Sequence, residues 1–200
     1  MFTGIVHSMG TVVEFATRGQ EQRLRIEAPQ LDLEAVEMGD SIAVNGVCLT
    51  VVAKEGAHFA ADVSNETLAC TSLGDCRPGA SVNLEPALTP TTALGGHMVS
   101  GHVDGLGHVL ERHDDAQSVR MRFRTPHELS RYIARKGSVC IDGVSLTVND
   151  VEGDEFGINL VPHTLERTTL GDFVAGRAVN IEVDQVARYL ERLLLARDGA

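Results

Sequence analysis

The chain repeats itself once, and that repeat limits its possible folds more than any other feature. Asn45-Gly46-Val47-Cys48-Leu49-Thr50-Val51 returns as Asp142-Gly143-Val144-Ser145-Leu146-Thr147-Val148, an offset of 97 positions. The same shift carries Gly4-Ile5-Val6 onto Gly101-His102-Val103, Thr67-Leu68 onto Thr164-Leu165, Leu73-Gly74-Asp75 onto Leu170-Gly171-Asp172 and Val82-Asn83 onto Val179-Asn180. No gap is needed, and roughly a third of the paired positions are identical, far above chance. Two copies of a unit just under 100 residues imply two similar domains with a core each, rather than a solenoid. Residues 83–96 carry Pro86, Pro90, a Thr run and a Gly pair, so the boundary belongs there. The expected division is 1–97, 98–184 and a tail, 185–200, with no counterpart in the first copy.

Within each copy, short β-branched runs alternate with Gly, Asp and Asn. Thr11-Val12-Val13, Arg23-Leu24-Arg25-Ile26, Ser41-Ile42-Ala43-Val44 and residues 47–52 read as strands. Asn45-Gly46 and Asp142-Gly143 supply the chemistry of a two-residue hairpin turn. Several strands in so short a unit favour a small antiparallel barrel. A helix is expected in each copy, around residues 66–73 and 128–135, and another in the tail. There apolar residues at 186, 190, 193 and 194 form a helical stripe, which needs a surface on its own domain or on another subunit.

Composition excludes several classes of function. Lys and Arg total 17 against 28 Asp and Glu, a formal charge of −11 that repels nucleic acid and anionic membrane. No apolar run approaches the ~18 residues of a membrane span, and Met1-Phe2-Thr3-Gly4-Ile5-Val6 does not read as a signal peptide, so a soluble cytoplasmic protein is expected. Cys48, Cys70, Cys76 and Cys140 form no C-x-x-C pair and read as free thiols. There is no phosphate-binding loop, no complete dinucleotide fingerprint and no nucleophile elbow. With no Trp and 4% aromatics, a flat ligand would be held by backbone hydrogen bonds and aliphatic walls.

Strand alternation locates a candidate site. Cys48 and Thr50 share one face of their strand while Val47, Leu49 and Val51 share the other; Ser145 and Thr147 repeat this opposite Val144, Leu146 and Val148. The apolar face suits a core. The small polar face is either a pocket wall or a solvated outer face, although Lys and Glu are the usual residues on the latter. His97, His102, His108 and His113 invite a metal reading, but on one strand His97 and His102 point to opposite faces, so no metal is expected. His102 replaces Ile5 within a matched Gly-x-Val, which places a group that titrates near neutrality at one site and not its twin. Glu66 against His163, Asn65 against Pro162 and Gly39 against Lys136 extend the asymmetry.

Four segments carry a family resemblance: the N-terminal Met1-Phe2-Thr3-Gly4-Ile5-Val6, Asn45-Gly46-x-Cys48-Leu49-Thr50-Val51, Gly95-Gly96-His97-x-x-Ser100-Gly101-His102 and Thr164-Leu165-Glu166-Arg167-Thr168-Thr169-Leu170-Gly171. Together they resemble riboflavin synthase of the α-chain type, over essentially all 200 residues. The resemblance implies an all-β fold of two six-stranded Greek-key barrels with a C-terminal helix, assembled as a homotrimer. It implies a transferase that moves a four-carbon unit between two 6,7-dimethyl-8-ribityllumazine molecules, with no metal or redox cofactor. The products are riboflavin and 5-amino-6-ribitylaminouracil.

By the same resemblance, each barrel binds one lumazine. The first site would use Gly4, Ile5, Val6, Cys48, Leu49, Thr50, Asp62, Val63, Ser64, Asn65, Glu66 and Thr67. The second would use Gly101, His102, Val103, Lys136, Ser145, Leu146, Thr147, Asn159, Leu160, Val161, Pro162, His163 and Thr164. One lumazine must lose a proton from its C7 methyl, and the other must become electrophilic at C7. His102 would move protons, Cys48 would add as a nucleophile or position water, and Ser41, Ser145 and Thr147 would supply hydrogen bonds. The competing reading is a binding protein that carries a lumazine or flavin chromophore without turnover; retention of Cys48, Ser100-Gly101-His102 and Ser145-Leu146-Thr147 favours the enzyme. A flavin-dependent reductase would need a nicotinamide module for which the chain has no room.

Overall fold

The computed structural model describes residues 1–18 and 21–198, and among them twelve strands close into two six-stranded barrels. In the first, β1 (Ser8–Arg18), β2 (Glu21–Glu27), β3 (Ser41–Val44), β4 (Val47–Glu55), β5 (His58–Val63) and β6 (Ser81–Pro86) pair antiparallel in the cyclic order β1-β2-β5-β4-β3-β6. The second repeats that Greek-key order as β7-β8-β11-β10-β9-β12. Its strands are β7 (Gly105–Asp115), β8 (Ser118–Arg124), β9 (Ser138–Ile141), β10 (Val144–Glu152), β11 (Glu155–Leu160) and β12 (Ala178–Val183). Every strand boundary of the second barrel is that of the first plus 97. The bulges obey the same rule: pairing slips between Val12 and Glu14 and between Val51 and Ala53, then again between Val109 and Glu111 and between Val148 and Asp150. An extra residue at such points bends a strand and tightens its twist, which a barrel this small needs to close.

Strand alternation fills both interiors. Val47, Leu49 and Val51 turn inward beside Phe59, Leu24, Ile26 and Leu84, while Cys48 and Thr50 face out. The second core gathers Val144, Val148, Met121, Phe123 and Phe156, the two phenyl rings stacked with centroids 5.5 Å apart. Strand β6 runs on to Pro86, so the connection begins at residue 87 and not at 83, because Val82 and Leu84 are barrel side chains.

Four helices occupy the described residues: α1 (Asn65–Cys70), α2 (His127–Ser130), α3 (Pro162–Arg167) and α4 (Gln185–Asp198). The expected helix over 66–73 splits into α1 and a 3₁₀ turn, Ser72–Asp75, and the one over 128–135 shortens to the single turn of α2. Helix α4 follows the tail as read, although residues 199–200 of that tail lie outside the described residues. Glu191 takes a hydrogen bond from the Tyr132 hydroxyl and an ion pair with Arg131, and Arg188 pairs with Asp104. None of the helices is long and apolar enough to cross a membrane.

The barrels meet at a two-fold junction made by the hairpin turns. Asn45, Gly46, Asp142 and Gly143 all adopt positive φ, the conformation of a type I′ turn. Gly46 and Gly143 lie back to back so closely that a Cβ on Gly46 would sit 2.7 Å from the Gly143 nitrogen. The Asn83 amide donates to the Asp142 carbonyl and the Asn180 amide to the Asn45 carbonyl, both at 2.8 Å.

Candidate functional site

Each copy's glycine segment leaves its own barrel and completes the wall of the other. The Cys48 N–H donates to the Gly101 carbonyl at 2.8 Å, and the Ser145 N–H donates to the Gly4 carbonyl at 2.7 Å. Contact is intimate. A Cβ on Gly101 would lie 2.7 Å from Cys48 Cβ, and one on Gly4 2.6 Å from Ser145 Cβ, with both glycines at positive φ. Val6 packs onto the second core and Val103 onto the first. Phe2 and Val99 form an isolated β-bridge where the two segments cross.

This crossing changes the grouping expected from the sequence. Gly4, Ile5 and Val6 stand with Ser145, Leu146 and Thr147; Gly101, His102 and Val103 stand with Cys48, Leu49 and Thr50. The repeat could not reveal this, because a duplication fixes which positions are equivalent but not which copy they touch. His97 and His102 also sit in irregular backbone rather than on one strand, so the alternation argument applied to them does not hold.

Two glutamates that the sequence reading passed over hold the crossed segments in place. On β6, Glu85 is 3% exposed and accepts from the Thr3 N–H (2.6 Å), the Thr3 hydroxyl (2.7 Å) and the Gly4 N–H (3.0 Å). On β12, Glu182 is 4% exposed and accepts from the Ser100 N–H (2.6 Å), the Ser100 hydroxyl (2.7 Å) and the Gly101 N–H (2.9 Å). Burial raises the pKa of both carboxyls, opposed by these bonds. The signal was present in the sequence: a glutamate two positions after each of the repeated pairs Val82-Asn83 and Val179-Asn180.

The remaining candidates divide by what they present. Ser145 and Cys48 are half-buried, and Thr50, Thr147, Ile5 and His102 are exposed. Leu49, Val63 and Leu160 point into the cores, so only their backbone is available to a ligand. Ser41 pairs across the ladder with Thr50. His102 lies in a recess with Ser100, Glu182, Arg188 and Tyr189, so α4 forms part of its wall. Asp62, at the end of β5, takes two bonds from Arg23 at 2.7 and 2.8 Å; its counterpart Asn159 faces Arg120, which turns to Asp115 instead. Ser64 caps α1 by accepting from the Thr67 N–H, whereas α3 starts with Val161 and Pro162 and no side-chain cap. Asn65 and Glu66 lie in α1, and His163 and Thr164 in α3. Lys136 adopts φ +66° at the position where the first copy has Gly39 at φ +93°. A left-handed lysine is strained, and such strain is commonly kept at functional positions.

The chain as a whole has recognisable relatives. The lumazine binding domain family matches residues 3–87 and again 100–184. Riboflavin synthase of Photobacterium phosphoreum is 47% identical over 195 residues, covering 98% of this chain and 89% of that protein. The riboflavin synthase of Brucella abortus is 46% identical over 198 residues, with 96% and 98% covered, and that of Schizosaccharomyces pombe 39% over 199 residues, with 98% and 95% covered. Among solved structures, LumP complexed with riboflavin aligns with a TM-score of 0.83 at 30% identity, over 92% of this chain and 99% of that one. LumP complexed with 6,7-dimethyl-8-(1'-D-ribityl) lumazine gives 0.82 at 28%, with the same coverage.

Proposed function

The chain belongs to the riboflavin synthase family, and from that membership we propose that it converts two 6,7-dimethyl-8-ribityllumazine molecules into riboflavin and 5-amino-6-ribitylaminouracil by four-carbon transfer. The observation that carries this reading is the pair of equivalent walls, each completed by the other copy's glycine segment. A reaction between two identical flat molecules needs two sites, and both polar faces are intact. The barrels, 1–97 and 98–184 with their segments, are the lumazine-binding units, and 185–200 is the oligomerisation element.

His102 moves protons to and from the ligand, a role typically worth ~10²–10⁴ in rate. Cys48 adds at C7 of the acceptor or positions the water that does; Ser41, Ser145 and Thr147 donate and accept hydrogen bonds around the rings. Asp62, Ser64, Asn65, Glu66, Thr67, Asn159, Val161, Pro162, His163 and Thr164 line the ligands at the strand-to-helix junctions, and Lys136 does so from the turn before β9. Holding the two rings face to face contributes most, since effective molarities reach ~10⁵ M or more.

Helix α4 exposes Val186, Tyr189, Leu190, Leu193 and Leu194, an apolar face suited to burial between subunits. A homotrimer packed on it sets the first barrel of one subunit against the second barrel of its neighbour, pairing the two ligands. The enzyme is soluble and works in the cytoplasm.

Likeness to ligand-bound LumP favours a second reading, a non-catalytic lumazine or flavin carrier. Higher identity to the synthases, 39–47% against 28–30%, favours the enzyme. The test is to mix the protein with 6,7-dimethyl-8-ribityllumazine alone and follow absorbance. The expected outcome is catalytic riboflavin formation at half the rate of lumazine loss, without added cofactor. Tight binding without turnover makes the protein a carrier.

A further inference from the structure

His97 lies in the connection between the barrels, immediately before Met98, the counterpart of Met1. Its Nδ1 lies 2.7 Å from the Ser145 hydroxyl oxygen, and its backbone N–H donates to the Thr3 carbonyl at 3.1 Å. Gly96 permits this approach, since a Cβ there would sit 2.2 Å from the Thr3 carbonyl oxygen and 2.8 Å from Ser145 Oγ. The other ring nitrogen, Nε2, is buried and has no hydrogen-bond partner among the described residues. Burial lowers the imidazole pKa, with the Asp184 charge opposing, which favours the neutral ring.

A neutral imidazole carries one proton, and the surroundings decide where it sits. On Nε2 it would be a buried, unbonded N–H, among the rarest of buried polar groups. On Nδ1 it is donated to Ser145 Oγ, and only a lone pair stays unpaired. We propose that His97 is a positioning residue that donates its Nδ1 proton to Ser145, so that the serine hydroxyl proton points to an acceptor atom of the ligand. Ser145 thereby becomes a hydrogen-bond donor of fixed direction, polarised by the bond it accepts. Such a donor strengthens as a flat heteroaromatic ring gains negative charge, which loss of a methyl proton would cause. At the equivalent position of the first site, no histidine is bonded to the Cys48 sulfur among the described residues, so the two sites are chemically unequal. The inference rests on the synthase reading for its kinetic consequence but not for its geometry.

The test uses the full-length protein with His97→Leu, which removes the donor, and His97→Asn, which keeps an N–H near the Nδ1 position. His97→Leu is expected to lower kcat by about 10- to 100-fold with KM changed less than threefold, and His97→Asn to retain most of the rate. The double variant His97→Leu/Ser145→Ala should be no slower than Ser145→Ala alone, because the histidine acts through the serine. Losses that multiply, or unchanged turnover in His97→Leu, overturn the proposal. Nitrogen-15 NMR of histidine-labelled wild-type protein, with the His97 signals identified by their absence from the His97→Asn spectrum, is expected to report the Nδ1-protonated ring. An Nε2-protonated ring overturns it. That spectrum requires no turnover, so it decides the inference even if the wild-type protein makes no riboflavin, an outcome that would sink the synthase reading instead.

Discussion

Position 102 separates the two otherwise equivalent segments, because His102 stands where the first copy has Ile5 and both side chains are exposed beside the wall that their glycine neighbour completes. His102→Gln keeps the size and removes the imidazole, so turnover should fall ~10²–10⁴-fold in steady-state assays if the imidazole moves protons. Unchanged turnover would remove that role from His102. The neighbouring glycine makes a different demand. Gly101→Ala would force a methyl to 2.7 Å from Cys48 Cβ at φ +79°, a backbone region costing roughly 1–3 kcal/mol for other residues. The expected result of a fluorescence titration is one lumazine bound per chain instead of two, with the Ser145 site unaffected. Two ligands bound with wild-type affinity would show that this contact does not shape a site.

At the level of elements, β6 and β12 each carry a buried glutamate that holds a segment belonging to the opposite site. Glu182 grips Ser100 and Gly101, which complete the Cys48 wall of the first barrel, and Glu85 grips Thr3 and Gly4, which complete the Ser145 wall of the second. Glutamine keeps the shape but turns a donor amide toward backbone N–H groups. Glu182→Gln should therefore cost ~1–3 kcal/mol of stability and weaken lumazine binding at the Cys48 site in particular. Glu85→Gln should do the converse. Urea titration and site-resolved binding read the two effects, and weakening of the site on the glutamate's own barrel would contradict the crossed arrangement. Period-two alternation around Cys48 and Ser145 and the Asn-Gly and Asp-Gly turns made the barrels legible in the sequence, since they depend on local backbone chemistry. The exchange of glycine segments was not legible, because it depends on contacts such as Gly101 with Cys48 and Gly4 with Ser145 that join residues of different copies. His97 escaped for a related reason: a lone histidine in a Gly-Gly-His run gives no sign of Ser145, 48 positions away.

Over the whole molecule, the junction between the barrels buries an ionisable side chain on one side of its two-fold arrangement and an amide on the other. Asn45 accepts from the Asn83 N–H at 2.8 Å, and its counterpart Asp142 accepts from the Asn180 N–H at 2.7 Å. Asp142 is 1% exposed and its second oxygen has no hydrogen-bond partner among the described residues. Burial raises its pKa to about 7, with the Asn180 bond and the Arg177 charge opposing. In the unfolded chain an aspartate titrates near ~3.9, so between that pH and 7 the folded state binds the extra proton. Stability contributed at this position is therefore present at low pH and lost as pH rises through 7, by at most ~4 kcal/mol from a shift of about three units. Glu85 and Glu182, also raised by burial, slope the same way, so the wild-type curve alone does not isolate Asp142. Asp142→Asn does, because it installs the residue that the first copy already uses. The variant should gain on wild type as pH rises from 5 to 8 in urea titrations. A difference that stays constant over that range would mean that Asp142 remains ionised in the folded protein, and that the junction tolerates its charge.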